Sequence, residues 1–497
     1  MPLWPRRAER RPGAIKLSLP DGAERRSVRA SLKFRVIFLM DRDAAQASAL
    51  VADPAHSARS DLAQLLKLSG PVVLARLGIM TMGLTDAVVV GRFSARELGY
   101  HALGWAPTSV VLTALVGLLI GVQVMTARAV GAGRRERTGA VLRRGLVYSV
   151  WLGLASTALL ALVGPAFLHV IGLEKDLADG AARALMVFTL SLTPYAVSVA
   201  ASFWLEGLQR PGPAAVAMWA ANIVNLGLVL LFVPGPFGLP AMGAVGAAWG
   251  TFGARTFLAI AMLTFIATLP EARALGVFTR PERDRPAEAE QRRIGYAAGA
   301  SNFLEVSAFA SMNVIAGWIG GLAVAAWAIV LNVAAIVFMV PLGLATGAAV
   351  LVGKAYGARD PAGVTRAGVV SFVVAAVFGL VVSLAIWPTA ELISHGYTRD
   401  AATIAMAAPA LVLSCLFFFP DALQVVVAQA LRARGDVWLP TYTHLASYIL
   451  VMMPLAYWFA IPLRMGINGI VWAVVVASFI SCGLLLARFW MLSRRGL

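Results

Sequence analysis

Between residues 66 and 491 the chain repeats apolar runs of about 20 residues or more, separated by short polar turns. A run of that length crosses a ~30 Å hydrocarbon core as a helix. Lipid offers no partner to backbone N–H and C=O groups, so a single run can satisfy them only by coiling on itself. Twelve such spans are counted, at about 66–92, 103–128, 145–170, 182–208, 214–235 and 243–269, then 293–318, 320–352, 367–391, 402–431, 438–462 and 466–491. The expected fold is therefore all-α, a polytopic membrane protein with twelve transmembrane helices. Charged residues make up only 13% of the 497, against roughly a quarter in a soluble domain.

The net charge of +17 does not indicate nucleic acid, because much of the excess sits in short loops and the N-terminal tail. "GAGRRER" (131–137), "QRPG" (209–212), the segment 271–293, "GKAYGARD" (353–360), "LRARGD" (431–436) and the C-terminal "SRRGL" fall on one side of the twelve-span scheme. Positive loops stay inside, so both termini are expected in the cytoplasm. Residues 1 to about 60, Arg-rich and without a span-length run, read as a disordered cytoplasmic extension, or as sequence preceding a start at Met40. Segment 271–293 reads as a cytoplasmic linker between residues 61–270 and 294–497.

The two halves repeat. "GVQVMTARAVGAG" (121–133) aligns with "GAAVLVGKAYGAR" (347–359) at an offset of 226 residues. "GAVGAAWG" (243–250) aligns with "GINGIVWA" (466–473), and "EGLQRPGP" (206–213) with "QALRARGD" (429–436), each at an offset of 223. Six spans restore the starting side, so these are parallel repeats, the kind that commonly enclose a central site and alternate access by rocking.

Acids inside the spans are few: Asp86, Glu206, Glu305 and Asp421. An ionisable residue at membrane depth is costly and by default faces the bundle interior or a wet cavity. Glu305 lies 12 residues past Arg293 and Asp421 lies 11 before Arg432, about 18 and 16 Å from the cytoplasmic end at ~1.5 Å per residue. Two acids at similar depth on different spans form the main candidate site. Asp86 lies in the outer leaflet of the first half as a candidate second site. Glu206 is read as structural, four residues from Arg210 and within reach of an i,i+4 pair. Burial disfavours an ionised carboxylate and a bound cation restores it, so Na⁺, H⁺ and a cationic substrate can compete for the same oxygens.

Asn302, Ser307, Asn313, Asn332 and Gln424 could complete an oxygen-lined site around a transient Na⁺, or act as interhelical hydrogen-bonding groups. Pro420 is expected to kink the tenth span, with Pro71 and Pro194 as further candidates. Arg76 and Arg255 lie inside spans without an assignable partner. The five histidines show no metal spacing, no phosphate-binding glycine loop or catalytic triad is readable, and no cofactor is expected.

"GLTDAVVVGRFSARELG" (83–99), "EGLQRPGPAAVAM" (206–218), "NFLEVSAF" (302–309), "LNVAAIVFMVPLGLATGAAVLVGKAYGARD" (331–360) and "PDALQVVVAQALRARGD" (420–436) together resemble the multidrug and toxic compound extrusion (MATE) family, in its NorM-like branch. The likeness runs in order over about residues 60 to 490. It implies two pseudo-symmetric six-helix lobes forming a V-shaped cleft, and secondary-active export of organic cationic or amphipathic compounds against inward Na⁺ or H⁺. On the same resemblance Asp86, Glu305 and Asp421 fall at cation-coupling and substrate positions. The sequence departs from the family pattern at Trp327–Ala328, where a His-Gln pair is common, and at Gln429, where a glycine is common. The expectation is thus a monomeric inner-membrane antiporter with small-molecule substrates and the lipid bilayer as its partners, and neither an enzyme nor a nucleic-acid binder. A lipid-linked oligosaccharide flippase of the same superfamily and an integral-membrane enzyme are the alternatives.

Overall fold

Apolar residues face outward to a degree no soluble protein tolerates: Leu162 is 80% exposed, Ile223 74% and Leu392 72%. Such side chains belong against lipid. The computed structural model describes residues 54–170, 174–279 and 284–495. Of the extension expected over residues 1 to about 60, residues 1–53 lie outside the described residues, as do residues 280–283 of the linker, while residues 54–60 already belong to the first helix. From Ser60 to Leu497 the chain forms one compact unit.

The spans appear in the expected order. The first six are Pro54–Phe93, Ala95–Gly131, Thr138–Val170, a broken pair Lys175–Leu190 and Leu192–Gly207, Gly212–Phe232, and Gly243–Thr268. The second six are Arg285–Ile319, Gly321–Gly357, Pro361–Tyr397, Ala401–Ala433, Leu439–Ala460 and Ile467–Arg495. Among the described residues eleven of these are long and apolar enough to cross a membrane. The seventh, carrying Ser301, Asn302, Glu305, Ser307, Ser311 and Asn313, falls short on apolar character. It also starts earlier than its apolar run: Asp284 caps it by accepting from the Ala287 N–H at 3.1 Å, so residues 285–293 of the polar segment are helical.

Prolines act unevenly. The first and tenth spans run without interruption through Pro71, Pro409 and Pro420. The fourth span breaks at Ser191, three residues before Pro194, whose ring cannot donate to the preceding turn. The eleventh span contains a stretch of π-helix, Leu445–Met452, which ends next to Pro454. Both irregularities lie beside buried polar side chains, a common association for π segments.

The 226-residue repeat reappears as a set of mirrored contacts between the halves. A β-carbon on Gly131 would overlap the Lys354 carbonyl oxygen, and one on Gly357 would overlap that of Arg128. Gly131 and Gly357 are 226 apart, as are Arg128 and Lys354. Gly117 meets Gly299 as Gly343 meets Val73, and Gly121 meets Gln291 as Gly347 meets Leu65. Each pair obeys the same offset. The second span thus crosses the seventh and eighth spans as the eighth crosses the first and second, about a local two-fold axis. Small residues permit this backbone contact, the main attraction available to helices in lipid.

Charge reinforces the crossing. Arg128 donates through Nε to the Ala433 carbonyl at 3.0 Å and through Nη2 to the Arg432 carbonyl at 3.1 Å, at the end of the tenth span. Its Nη1 reaches Glu290 at 3.3 Å and its guanidinium lies 4.8 Å from the Tyr356 ring centre. A cation at a helix C-terminus satisfies carbonyls that the helix itself leaves open. Lys354, the repeat partner, donates to Gln209 Oε1 at 3.5 Å, in the turn after the fourth span.

Gly131→Ala and Gly357→Ala are each expected to destabilise the protein by about 1–3 kcal/mol through overpacking. Gly317→Ala, with nothing within 4 Å, should be neutral. Thermal unfolding of the detergent-solubilised protein checks this; equal melting temperatures for all three would contradict the crossing.

Candidate functional site

Two polar clusters lie inside the helices, one in each half. In the first half Asp86 is 3% exposed and held by two neighbouring helices. Its Oδ1 accepts from Asn225 Nδ2 of the fifth span at 2.5 Å, and its Oδ2 from Thr251 Oγ1 of the sixth at 2.6 Å. Arg255 stands one turn after Thr251, on the same helix face and equally buried. Its Nη1 donates to Ser191 Oγ at 2.8 Å, at the break in the fourth span. The guanidinium carbon lies 5.3 Å from the Trp105 ring centre and 4.8 Å from that of Tyr195. Asp86, Trp105, Tyr195, Thr251 and Arg255 line a cavity of about 430 Å³ with otherwise mainly apolar walls. That volume falls in the range of small-molecule pockets.

In the second half Asp421 Oδ1 accepts from Gln424 Nε2 at 2.8 Å, one turn further along the tenth span. The same amide nitrogen donates to the hydroxyl of Tyr448, which sits in the π-helical stretch. The Tyr448 ring packs on His444, with centres 5.3 Å apart, and His444 Nδ1 shares a hydrogen bond with Ser301 Oγ at 2.7 Å. Glu305 follows Ser301 by one helical turn and lies within electrostatic reach of Asp421 and Arg432. Among the described residues its carboxylate has no hydrogen-bond partner. Asp421, Gln424 and Tyr448 thus form one hydrogen-bonded chain, with the Glu305 carboxylate within electrostatic reach of its acid end.

The other residues marked in the sequence stand apart from these acids. Asn302 reaches across to the Thr113 carbonyl at 3.5 Å. Asn313 and Asn332 are exposed and donate to carbonyls of their own helices, Phe309 at 3.5 Å and Ala328 at 3.0 Å. The Ser307 carbonyl accepts from Ser311. Pro420 adjoins Asp421 in an unbroken helix, and Pro71 lies in another.

Glu206 does not pair with Arg210. It is buried, accepts from Gln123 Nε2 at 2.7 Å and feels the charge of Arg76. Arg210 instead grips both oxygens of Glu271, at 2.9 and 3.0 Å, because it lies beyond the helix end where the chain has turned outward. Arg432, taken from the sequence as a marker of the membrane surface, is only 2% exposed, with Nε and Nη2 lacking partners among the described residues. Tyr448, Asn225 and Thr251 were not singled out by sequence reasoning. The usable signals were a tyrosine within an apolar run, the Asn222/Asn225 pair, and the i,i+4 spacing of Thr251 and Arg255.

Thr251→Val retains shape and removes one of the two donors to a buried carboxylate. A loss of about 1.5–3 kcal/mol is expected, the usual worth of a hydrogen bond to a charged group. A thermal melt within error of the parent would show that Asp86 does not depend on this bond.

Comparison with known proteins bears directly on this geometry. The MatE family matches residues 71–231 and 297–458, two segments whose starts are 226 residues apart. The chain is 62% identical over 460 residues to the "Probable multidrug resistance protein NorM" of Caulobacter vibrioides, covering 93% of this chain and 98% of that one. It is 32% identical to "Multidrug resistance protein PmpM" of Pseudomonas aeruginosa, covering 80% and 84%. Its fold matches a solved structure described as the outward-facing conformation of a multidrug resistance MATE family transporter, with TM-score 0.80 at 19% identity, covering 88% of this chain and 96% of that one. The chain is therefore a member of the MatE family, a multi-pass membrane transporter built from two related six-helix halves.

Proposed function

We propose that this transporter is a secondary antiporter that exports organic cationic or amphipathic compounds in exchange for inward Na⁺ or H⁺. The observation that carries the reading is the cluster of Glu305, Asp421, Gln424 and Tyr448, where two carboxylates on different helices share one electrostatic environment. A cation entering from outside would neutralise this pair. Its release would require the opposite face to open, and rocking of residues 61–270 against 294–497 about the glycine crossing would supply that motion. Asp86 would serve as a second binding position in the first half.

The names of the relatives support the substrate range, and their bacterial sources support a cell-membrane location. Loop positives support a cytoplasmic side for the Arg128 crossing and for both termini. Nothing in the reading requires more than one chain. A flippase for anionic lipid carriers would need a cavity dominated by cations, whereas Arg255 shares its cavity with Asp86.

Efflux of a fluorescent organic cation from vesicles, with sodium and proton gradients imposed separately, tests the assignment. Glu305→Gln and Asp421→Asn should each lower gradient-driven transport at least about tenfold, equivalent to about 1.4 kcal/mol in coupling. Only one of the two gradients should drive the parent protein. Undiminished transport in both variants would sink the proposal.

A further inference from the structure

Beside the glycine crossing, at the end where the basic turns gather, lies a second cavity of about 1190 Å³. Its walls come from both halves. One side is the turn after the second span with the start of the third, and the other is the turn after the eighth span. The first two turns of the seventh helix complete it. Five guanidiniums line this space, those of Arg128, Arg134, Arg137, Arg144 and Arg359, against the two carboxylates of Asp284 and Glu290. Both acids are already engaged: Asp284 accepts from the Ala287 N–H at 3.1 Å, and Glu290 meets Arg128 at 3.3 Å and Arg293 at 3.4 Å. Arg128 is held by the Ala433 and Arg432 carbonyls, and Arg144 Nε donates to Gln291 at 3.3 Å. Arg134, Arg137 and Arg359 are exposed at the rim, and their guanidiniums have no partner among the described residues.

The positive-inside rule asks for basic turns, not for arginines drawn round one cavity. Arg359 also holds a strained position. It follows the end of the eighth span with φ 57°, where its repeat counterpart, 226 residues earlier, is Gly133 at φ 72°. Helices commonly end on a glycine in this left-handed conformation, because a β-carbon disfavours it. Arginine thus replaces the sterically easy residue in the very turn that brings the second half to the cavity. A cleft lined by one sign of charge concentrates counter-ions. The guanidinium fork matches the paired oxygens of a phosphate, and basic pockets between helices at a membrane surface suit phosphate head groups. Three positive charges in excess call for more than one phosphate on the guest. Small side chains on the walls, Ala129, Ala132, Ala140 and Ala287, leave the volume open for it.

We infer that this cavity binds an anion carrying two or more phosphates, held between Arg134 and Arg137 of the first half and Arg359 of the second. Gly357 itself lines the cavity, so an occupant touches both halves next to the Gly131–Gly357 contact and ties down that joint. The site is separate from both acid clusters, and the inference stands whether or not the efflux reading does.

Two probes distinguish a soluble source of the phosphates from a lipid one. Sodium tripolyphosphate is titrated calorimetrically into the full-length protein in a neutral detergent. Diphosphatidylglycerol, with phosphatidylcholine as the uncharged control, is added to the same protein and bound copies are counted by native mass spectrometry. At least one anionic probe should bind, and Arg137→Gln/Arg359→Gln should weaken it by about tenfold or more, the scale of lost hydrogen bonds to a charged group. Arg494→Gln/Arg495→Gln removes the same charge outside the cavity and should leave binding unchanged. The bound probe should raise the melting temperature of the parent but not of the cavity variant. Binding of tripolyphosphate alone identifies a soluble guest, and of diphosphatidylglycerol alone a lipid head group. Binding of neither, or equal weakening by both double variants, would overturn the inference. If Arg137→Gln/Arg359→Gln does not fold, Arg134→Gln, in an exposed turn, carries the same comparison.

Discussion

Backbone contact between the second and eighth spans is the constraint on which the rest of the structure depends. Helices in lipid gain little from burying apolar side chains, since the surrounding tails are equally apolar. What remains is close van der Waals contact and interhelical hydrogen bonding. Gly131 and Gly357 admit the Lys354 and Arg128 carbonyls where any larger residue would collide. Arg128 then fastens to the end of the tenth span through two carbonyls and to Glu290. Contacts between the halves recur under the 226-residue offset, so one local two-fold organises the joint.

The symmetry of the frame is not shared by the chemistry inside it. The repeat counterpart of Glu305 is Ile79, and that of Asp86 is Met312. Each half therefore carries its polar cluster at different positions on equivalent helices. The first-half cluster is a carboxylate and a guanidinium around an apolar-walled cavity. The second is a pair of carboxylates joined through Gln424 and Tyr448. The scaffold is thus symmetric while its polar contents are not.

Much of this was legible in the sequence, for identifiable reasons. Span number and order follow from run length, because a helix long enough to cross the bilayer must be apolar along its lipid face. The seventh helix tests that rule: its serines, asparagines and Glu305 lower its apolar character, and of these Ser301 is buried while Asn302, Glu305, Ser307 and Ser311 are half-buried and Asn313 is exposed. The proline positions were visible but their effects were not, since Pro420 lies in an unbroken helix while Pro194 accompanies a break at Ser191. Whether a proline interrupts a helix depends on what neighbouring segments supply to the freed carbonyl.

Pairings were the least legible part. Glu206 and Arg210 have the spacing of an ion pair, yet Arg210 bonds to Glu271, which is 61 residues away. Arg432 has the look of a surface charge and lies within electrostatic reach of Glu305 inside the protein. Thr251 and Arg255 share a face by spacing alone, but only packing of four helices brings them to Asp86, Ser191 and two aromatic rings. By itself the sequence determined the span count, the repeat and the acids too costly to be incidental, because lipid penalises every unpaired polar group. Only the tertiary structure decided which of those groups meet, because their partners lie on separate helices, far apart in the chain, that packing alone brings together.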